Sequence, residues 1–232
     1  MPKWFEIKAQ TETVPAEVFI YDYIGYYGVE AKAFIDELNA LDTDEIHLRL
    51  NTPGGSVFEG NAIYNALKRH KATITTYIDG LAASMGSIIA LAGERVIMAD
   101  NAMYMIHNPW TSAYGDAHEL RKTADTLDKL RSAMLNDYHQ KTGIAEDALI
   151  AMLDEETWLT ASECVEQGFA DETVEGLQAA ASFTPDKFKG CRKVPTQLIT
   201  AAAPPTQPKL EAVAYNHRTP LYARLTEIAA RA

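Results

Sequence analysis

Apolar residues recur along the first three quarters of the chain with two different spacings, one typical of strands and one typical of helices. Short β-rich runs predict strands at 18–21, 46–50, 73–78, 95–98 and 102–106. Between them, apolar residues spaced three or four apart predict helices with faces at 31, 34, 35, 38 and 41 and at 58, 62, 66 and 67, and a further helix over 82–91. Strand–helix units repeated in this way predict an α/β fold with a largely parallel sheet and helices outside it.

Residues 116–141 predict one long helix. Its apolar stripe consists of Leu120, Ala124, Leu127, Leu130, Met134 and Tyr138, and Gly143 follows as a stop signal. A helix of about 26 residues extends roughly 39 Å. That is long for a domain of this size, so we expect the stripe to need a partner beyond its own core, although packing wholly on its own domain is the alternative.

The chain divides by its pattern into three parts. A polar leader covers residues 1–16, the patterned domain covers 17–175, and a Pro- and Ala-rich tail covers 176–232. Within the domain, two more helices are predicted at 144–153 and 161–167, the second ending before Gly168. The tail is expected to be flexible, with a linker at 201–208 and a short terminal helix at 221–232.

Charge and composition limit the function classes. The net charge is −11, but the tail carries +5, so residues 1–175 carry −16 and argue against nucleic-acid binding by the body. No apolar run has the roughly 20 residues needed to span a bilayer, and the first residues lack a secretory signal, so we expect a cytoplasmic protein. Cys164 and Cys191 lack zinc-like spacing, and Cys164 is expected to be a small packing residue.

Candidate chemistry lies in three ordered motifs. Ser84 sits in the run GLAASMGS, where small neighbours would let a substrate approach its hydroxyl, although such runs also occur as tight helix–sheet packing sites. His107 follows a buried-looking strand in MIHNP, and strand ends carry catalytic groups in parallel α/β folds. Of the six histidines, it is the one best placed to act as base for a serine. The third motif, NTPGGS, ends at Ser56 and offers glycines for close backbone approach.

Together with Trp158-Leu159-Thr160-Ala161, Gly168 and Asp171, these motifs resemble the Clp protease proteolytic subunit family of serine peptidases, over residues 17–175. Within that family, the chain looks most like the phage- and prophage-encoded branch linked to capsid maturation. The resemblance implies the ClpP/crotonase-like spiral of ββα units with a protruding handle helix, the long helix 116–141, which interlocks two rings.

The resemblance also implies the site residues. Ser84 would be the nucleophile, His107 the base, and the backbone amides of Gly55 and Met85 the oxyanion hole. At the position where the family usually has Asp, this chain has Glu156. Its longer side chain reaches differently, so Asp154 and Glu155 remain competitors for the third place.

The expected activity is a serine endopeptidase that acts through an acyl-enzyme, with no metal or organic cofactor. Substrates would be unfolded polypeptides or phage capsid or scaffold proteins, in the host cytoplasm if the chain is phage-encoded. The resemblance implies a homo-oligomeric ring, possibly two stacked rings. The need for an ATPase unfoldase stays open, because the leader does not match the family's usual N-terminal segment. No nucleic-acid or membrane partner is expected.

Two other function classes stay open. A crotonase-type acyl-CoA enzyme shares the spiral fold and the paired-amide oxyanion hole, but it needs no serine–histidine pair. A catalytically silent ring-forming assembly subunit would explain the unusual Glu156 as a sign of decay. Membrane-bound signal-peptide peptidases of similar fold use a Ser–Lys pair and an anchor, so His107 and the absence of an apolar anchor argue against them.

Overall fold

A computed structural model describes residues 5–10, 15–25, 31–176, 185–188, 190–195 and 198. By its internal contacts the chain divides into residues 1–201 and residues 202–232. The second unit lies outside the described residues. It contains most of the predicted linker 201–208 and all of the predicted terminal helix 221–232.

Eight strands and six helices make up the described fold. The strands are β1 (Phe5–Lys8), β2 (Ala16–Ile20), β3 (Glu45–Thr52), β4 (Thr73–Ala83), β5 (Arg95–Ala99), β6 (Met103–Ile106), β7 (Thr157–Thr160) and β8 (Glu172–Val174). The helices are α1 (Ala31–Asn39), α2 (Val57–Arg69), α3 (Met85–Ala90), α4 (Ala117–Thr142), α5 (Glu146–Glu155) and α6 (Ala161–Glu166), and a 3-10 turn covers Pro185–Phe188.

The sheet is mostly parallel, as the strand–helix pattern predicts. Its main order is β1-β2-β3-β4-β5-β8, and the pairs from β2 to β8 in this order are all parallel. The long strand β4 pairs with β5 along its first half and with β6 along its last residues, so β6 leaves the main sheet and continues to β7. This splayed, mixed α/β arrangement is consistent with the ClpP fold and confirms the predicted fold class.

The first strand lies within the stretch that the sequence pattern assigns to a polar leader. It pairs antiparallel with β2, and Phe5 is 2% exposed, with its ring edge-on to Phe34 at 5.4 Å between centroids. One aromatic residue therefore ties this strand to the core beside α1.

Two details of the predicted elements are wrong. The helix expected over 82–91 begins only at Met85, because Ala82 and Ala83 still pair with β6 as the end of β4. Phe58, expected on the buried face of α2, is 71% exposed, and that face instead consists of Gly60, Ile63, Ala66 and Leu67. Because Phe58 does not pack in the core, its side chain lines the surface of a cleft.

The long predicted helix is present as α4, with 26 residues and strong signals at both ends. Asp116 and Glu119 form a capping box at its start, and Gly143 ends it in the left-handed conformation, at φ 71°. Its buried residues, Met134, Leu135 and Tyr138, all lie in its C-terminal half. Leu120 and Ala124, the first two residues of the apolar stripe, are exposed in the described part of the chain, and Leu127 is only partly buried.

Within the described residues, no helix is long and apolar enough to cross a membrane. The same residues contain no group of three or more His, Cys, Asp or Glu side chains arranged to hold a metal ion. Cys164 is fully buried, and burial raises the pKa of its thiol to about 12, in keeping with the packing role expected for it.

Candidate active site

Ser84 occupies a strained turn between the end of β4 and the start of α3. Its backbone has φ 53° and ψ −122°, an unfavourable conformation for a residue with a side chain. The Ser84 N–H donates to the carbonyl of Met105 at 2.9 Å, which fixes the turn against β6. Although Ser84 stands at the N-cap of α3, its hydroxyl makes no capping bond, so the hydroxyl remains available for other chemistry.

A network of buried hydroxyl groups forms hydrogen bonds with the backbone of this turn. The Ser87 hydroxyl donates to the Ser84 carbonyl at 2.5 Å and lies 2.6 Å from the hydroxyl of Tyr138 on α4. Since the Ser87 proton is used on Ser84, Tyr138 is the donor of that second bond. The Tyr104 hydroxyl donates to the Ser87 carbonyl at 2.7 Å. Burial raises the pKa of Tyr138 far above its usual range, so the phenol keeps the proton that this network needs.

His107 comes directly after β6 and is 5% exposed. Its Nε2 lies 2.8 Å from the Ser84 hydroxyl, which is hydrogen-bond distance for removing the serine proton. Burial lowers the pKa of His107, the charge of Glu156 opposes that shift, and the charge of Arg192 adds to it. The net lowering favours the neutral imidazole, which is the form that can accept a proton.

Glu156 is the buried member of the three consecutive acids. It is 2% exposed and ends α5 in a left-handed conformation, at φ 54°. The side chains of Asp154 and Glu155 are 54% and 75% exposed and pair with Arg131 and Lys193 respectively. Burial alone therefore separates Glu156 from its two neighbours as a group that could act on an enclosed histidine.

The contacts of the Glu156 carboxylate differ from those of a simple histidine partner. It accepts the backbone N–H groups of Arg192 at 2.5 Å and Lys193 at 2.6 Å, and the indole N–H of Trp158 at 3.2 Å. No hydrogen bond joins it to His107 among the described residues, and its charge raises the pKa of the imidazole from a distance. Because Ile106 pairs with Thr157, His107 and Glu156 occupy neighbouring backbone positions, but the carboxylate is held by other donors.

The two amides expected to form an oxyanion hole belong to Gly55 and Met85. Hydrogen bonds join the Ile24 N–H to the Gly54 carbonyl at 2.8 Å and the Ser56 N–H to the Ile24 carbonyl at 2.7 Å, and they fix the loop on either side of Gly55. Met85 is the first residue of α3, where an N–H has no acceptor within its own helix. Both groups are therefore backbone donors whose positions the fold sets.

Glycine is required in this loop by space as well as by conformation. Gly55 has φ 150°, and a Cβ there would lie 1.9 Å from the Ile24 carbonyl oxygen. Gly54 has φ 87°, and a Cβ there would lie 2.8 Å from both the Met85 nitrogen and the Ser84 Cβ. The loop thus packs its bare backbone directly against the serine turn.

A cleft of about 930 Å³ opens onto these groups. Ser84, His107, Gly55 and Met85 line its floor, while Phe58 and Trp110 contribute aromatic surface. Five residues of α4 form a further part of its lining, namely Thr123, Thr126, Leu127, Leu130 and Met134. The cleft is large enough for several side chains of an extended peptide.

The structure brings together Ser84 and His107 and sets Glu156 close by, but it also contains parts that the sequence patterns do not reveal. The sequence predicts Ser87 and Tyr138 only as helix and stripe residues, although a serine three residues after a turn is a known local hydrogen-bonding pattern. The segment carrying Arg192 and Lys193 falls in the predicted tail and has no periodicity that would have signalled contact with the site.

Comparison with known proteins identifies the family of the chain. The Clp protease family matches residues 15–176. The ATP-dependent Clp protease proteolytic subunits of Streptococcus pneumoniae strains Hungary19A-6 and CGSP14 are each 36% identical over 157 residues, covering 61% of this chain and 76% of the relative. The chain therefore belongs to the Clp protease family, a family of serine peptidases.

Proposed function

We propose that this member of the Clp protease family is a serine endopeptidase that uses Ser84, His107 and Glu156. The observation that carries the proposal is the 2.8 Å contact between His107 Nε2 and the Ser84 hydroxyl, at a strained turn that faces a large cleft. A buried, neutral imidazole in hydrogen-bond reach of an uncommitted serine hydroxyl is the arrangement that activates a serine nucleophile.

The proposed reaction proceeds through an acyl-enzyme. Ser84 Oγ attacks the scissile carbonyl while its proton passes to His107 Nε2, and the amides of Gly55 and Met85 stabilise the oxyanion. His107 then gives the proton to the leaving amine. A water molecule attacks the ester while its proton passes to His107, which returns that proton to Ser84 Oγ as the acid product leaves. The charge of Glu156 stabilises the imidazolium in both steps.

The finer assignment concerns the branch of the family. We propose that the chain belongs to the phage- and prophage-encoded branch and acts on capsid or scaffold proteins in the host cytoplasm. This proposal is supported by the resemblance of the motifs NTPGGS, GLAASMGS and MIHNP. Incubating the protein with unassembled and assembled capsid protein of the same genome tests it, and failure to cleave either form would contradict it.

A ring-shaped homo-oligomer, with two rings meeting through α4, is part of the proposal. Support comes from Leu120, which is 45% exposed, and from the fact that the buried residues of α4 lie in its C-terminal half. An apolar stripe that its own chain leaves exposed favours association with another copy. An ATPase unfoldase partner is not part of the proposal, although the relatives named above are described as ATP-dependent.

Labelling with a fluorophosphonate probe, with the adduct mapped by mass spectrometry, tests the chemistry. We expect a covalent adduct on Ser84, together with hydrolysis of unstructured peptides. Ser84→Ala should lose both, and His107→Ala should lose hydrolysis to about the same extent, with no further loss in the double variant, because the two act as a unit.

The competing functions give different results in the same experiment. A crotonase-type enzyme would bind acyl-CoA and would retain that activity in Ser84→Ala. A catalytically silent subunit would show neither adduct nor turnover while still assembling. Peptide turnover by Ser84→Ala within tenfold of the wild-type protein would rule out Ser84 as the nucleophile.

A further inference from the structure

Residues 187, 188 and 190–193 lie beyond the range that the Clp protease family matches, yet they contact residues on both sides of the candidate site. At one end, Lys187 Nζ lies 2.6 Å from Asp22 Oδ1, just after β2. Next to it, Phe188 is 5% exposed and packs near the Trp158 ring, with 6.2 Å between centroids. We call the described residues 187, 188 and 190–193 the strap.

The far end of the strap contacts Glu156 through its backbone. The N–H groups of Arg192 and Lys193 donate to separate oxygens of the carboxylate, Oε2 and Oε1, at 2.5 and 2.6 Å. Glu156 is 2% exposed, and a buried carboxylate is costly unless it is hydrogen-bonded. The strap supplies two of the three donors that the carboxylate has among the described residues.

The side chains of the same two residues point elsewhere. Those of Arg192 and Lys193 are 70% and 55% exposed. Arg192 donates to the Asp154 carbonyl at 3.0 Å, and Lys193 pairs with Glu155 at 2.6 Å. The close contacts with Glu156 therefore come from the two backbone N–H groups, and the Arg192 guanidinium is 4.0 Å away at its nearest.

We propose that the strap is a positioning segment of the active site, whose two backbone N–H groups hold the Glu156 carboxylate beside His107. The proposal rests on the proposed peptidase function. Glutamate has one more methylene than the aspartate usual in the family, so its carboxylate needs an additional constraint to stay in place. The strap provides that constraint, because it is anchored by Lys187 on Asp22 and by Phe188 in the apolar cluster with Leu81, Ala83 and Met105.

Proline substitution tests the role of the N–H groups, because proline has no backbone donor. We expect Lys193→Pro and Arg192→Pro in the full-length protein each to lower kcat for a peptide roughly tenfold, with a smaller change in KM. Lys193→Ala keeps the N–H and should lie much closer to the wild-type protein than Lys193→Pro. Glu155→Gln removes the surface ion pair alone and should leave kcat unchanged.

Two further readouts separate positioning from general loss of structure. Because the charge of Glu156 raises the pKa of His107, displacing the carboxylate should move the acid limb of kcat/KM in Lys193→Pro to lower pH. Arg192→Pro also removes a charge that lowers this pKa, so only its kcat is compared. In a double-mutant cycle, Lys193→Pro should add little to the loss caused by Glu156→Gln, since it acts through that residue. Melting temperatures show whether each variant folds, and the Arg192→Pro variant repeats the kcat measurement at the second donor.

Several outcomes would overturn the strap proposal. If both proline variants keep the wild-type kcat and Lys193→Pro keeps the wild-type acid limb, the strap does not position Glu156. If they are faster, the strap restrains the carboxylate. If the losses add fully to that of Glu156→Gln, the strap acts elsewhere. Each of these outcomes assumes that wild-type Ser84 reacts with the fluorophosphonate probe, and failure of that labelling would instead contradict the proposed function.

Discussion

At the residue scale, Glu156 is the member of the proposed triad whose contacts the sequence motifs do not predict. A carboxylate held by two backbone amides and an indole, without a hydrogen bond to the histidine, can still stabilise an imidazolium through its charge. Its burial keeps that charge from being screened by solvent. The third residue of the proposed triad therefore depends on electrostatics more than on a shared proton.

Substitution at Glu156 tests this role. Glu156→Gln keeps the size but removes the charge, and we expect kcat for a peptide to fall about a hundredfold or more. Glu156→Asp keeps the charge and should retain appreciable activity. Asp154→Asn is the matched control among the acids, because Asp154 bonds with Asn108 at 2.6 Å and is largely exposed. Full activity of Glu156→Gln together with an inactive Asp154→Asn would assign the role to Asp154.

The pH dependence of kcat/KM tests the state of His107. Only the neutral imidazole can accept the Ser84 proton, and burial disfavours the cation, so the pKa of His107 lies below its ordinary value of 6.5. Activity should therefore rise with pH across a limb centred below 6.5 and stay level through neutrality. The measurement is kcat/KM for one peptide from pH 4.5 to 8.5, and a limb centred above 6.5 would contradict the lowering.

The sequence predicts Ser84 and His107, but it does not predict the residues that hold Ser84 and Glu156 in place. Both lie in local motifs next to strand ends, where a short pattern is enough to identify them. The tie between Ser87 and Tyr138 joins residues 51 positions apart, so it depends on how α4 packs under the serine turn. The contact between the strap and Glu156 spans 36 and 37 positions and uses backbone N–H groups, which every residue except proline has. No residue pattern marks such a contact.

At the element scale, helix α4 is predicted almost to the residue because its ends carry specific chemistry. The Asp116 carboxylate accepts hydrogen bonds from the N–H groups of His118 and Glu119, at 2.8 and 3.0 Å. The Glu119 carboxylate in turn accepts the Asp116 N–H at 3.0 Å. The strands at 5–8 and 157–160 are not predicted, because each has only four residues and is stabilised by pairing with a neighbouring strand. Short elements depend on pairing that the local sequence does not encode.

Removal of the cap tests the stability of the long helix. Asp116→Ala should lower the free energy of unfolding by about 1 kcal/mol, because two N–H groups at the start of α4 lose their acceptor. Asp125→Ala, at an exposed position of the same helix, is the matched control and should change it by less than about 0.5 kcal/mol. Chemical denaturation measures both. Equal effects of the two substitutions would show that the capping box does not stabilise the helix.

At the scale of the whole molecule, α4 connects the site to the surface that we propose for assembly. Its C-terminal half holds Tyr138 under the serine turn, its middle lines the cleft with Leu127 and Leu130, and its N-terminal half carries Leu120 into solvent. One helix thus contacts Ser87 under the serine turn, lines the substrate cleft and carries the proposed interface. Assembly through α4 would order the cleft wall and the support of Ser84 together.

Charge introduced on the exposed stripe tests the proposed assembly. Leu120→Glu with Ala124→Glu should split the particle into smaller species and lower peptide turnover, because burying charge between copies is unfavourable while Ser84 and His107 are untouched. Both positions are exposed in the single chain, so the fold itself should survive. Met134 is a poorer probe, since it is 4% exposed and a charge there would disrupt its own core.

Asn136→Glu is the matched control for that experiment. It adds a charge at an exposed position of the same helix, about 160° around the axis from Leu120. We expect it to leave both particle size and turnover unchanged. Light scattering and a peptide assay measure the two properties on the same sample. A monodisperse, fully active wild-type monomer at micromolar concentration would contradict assembly through α4, because the cleft and the serine turn would then need no second copy.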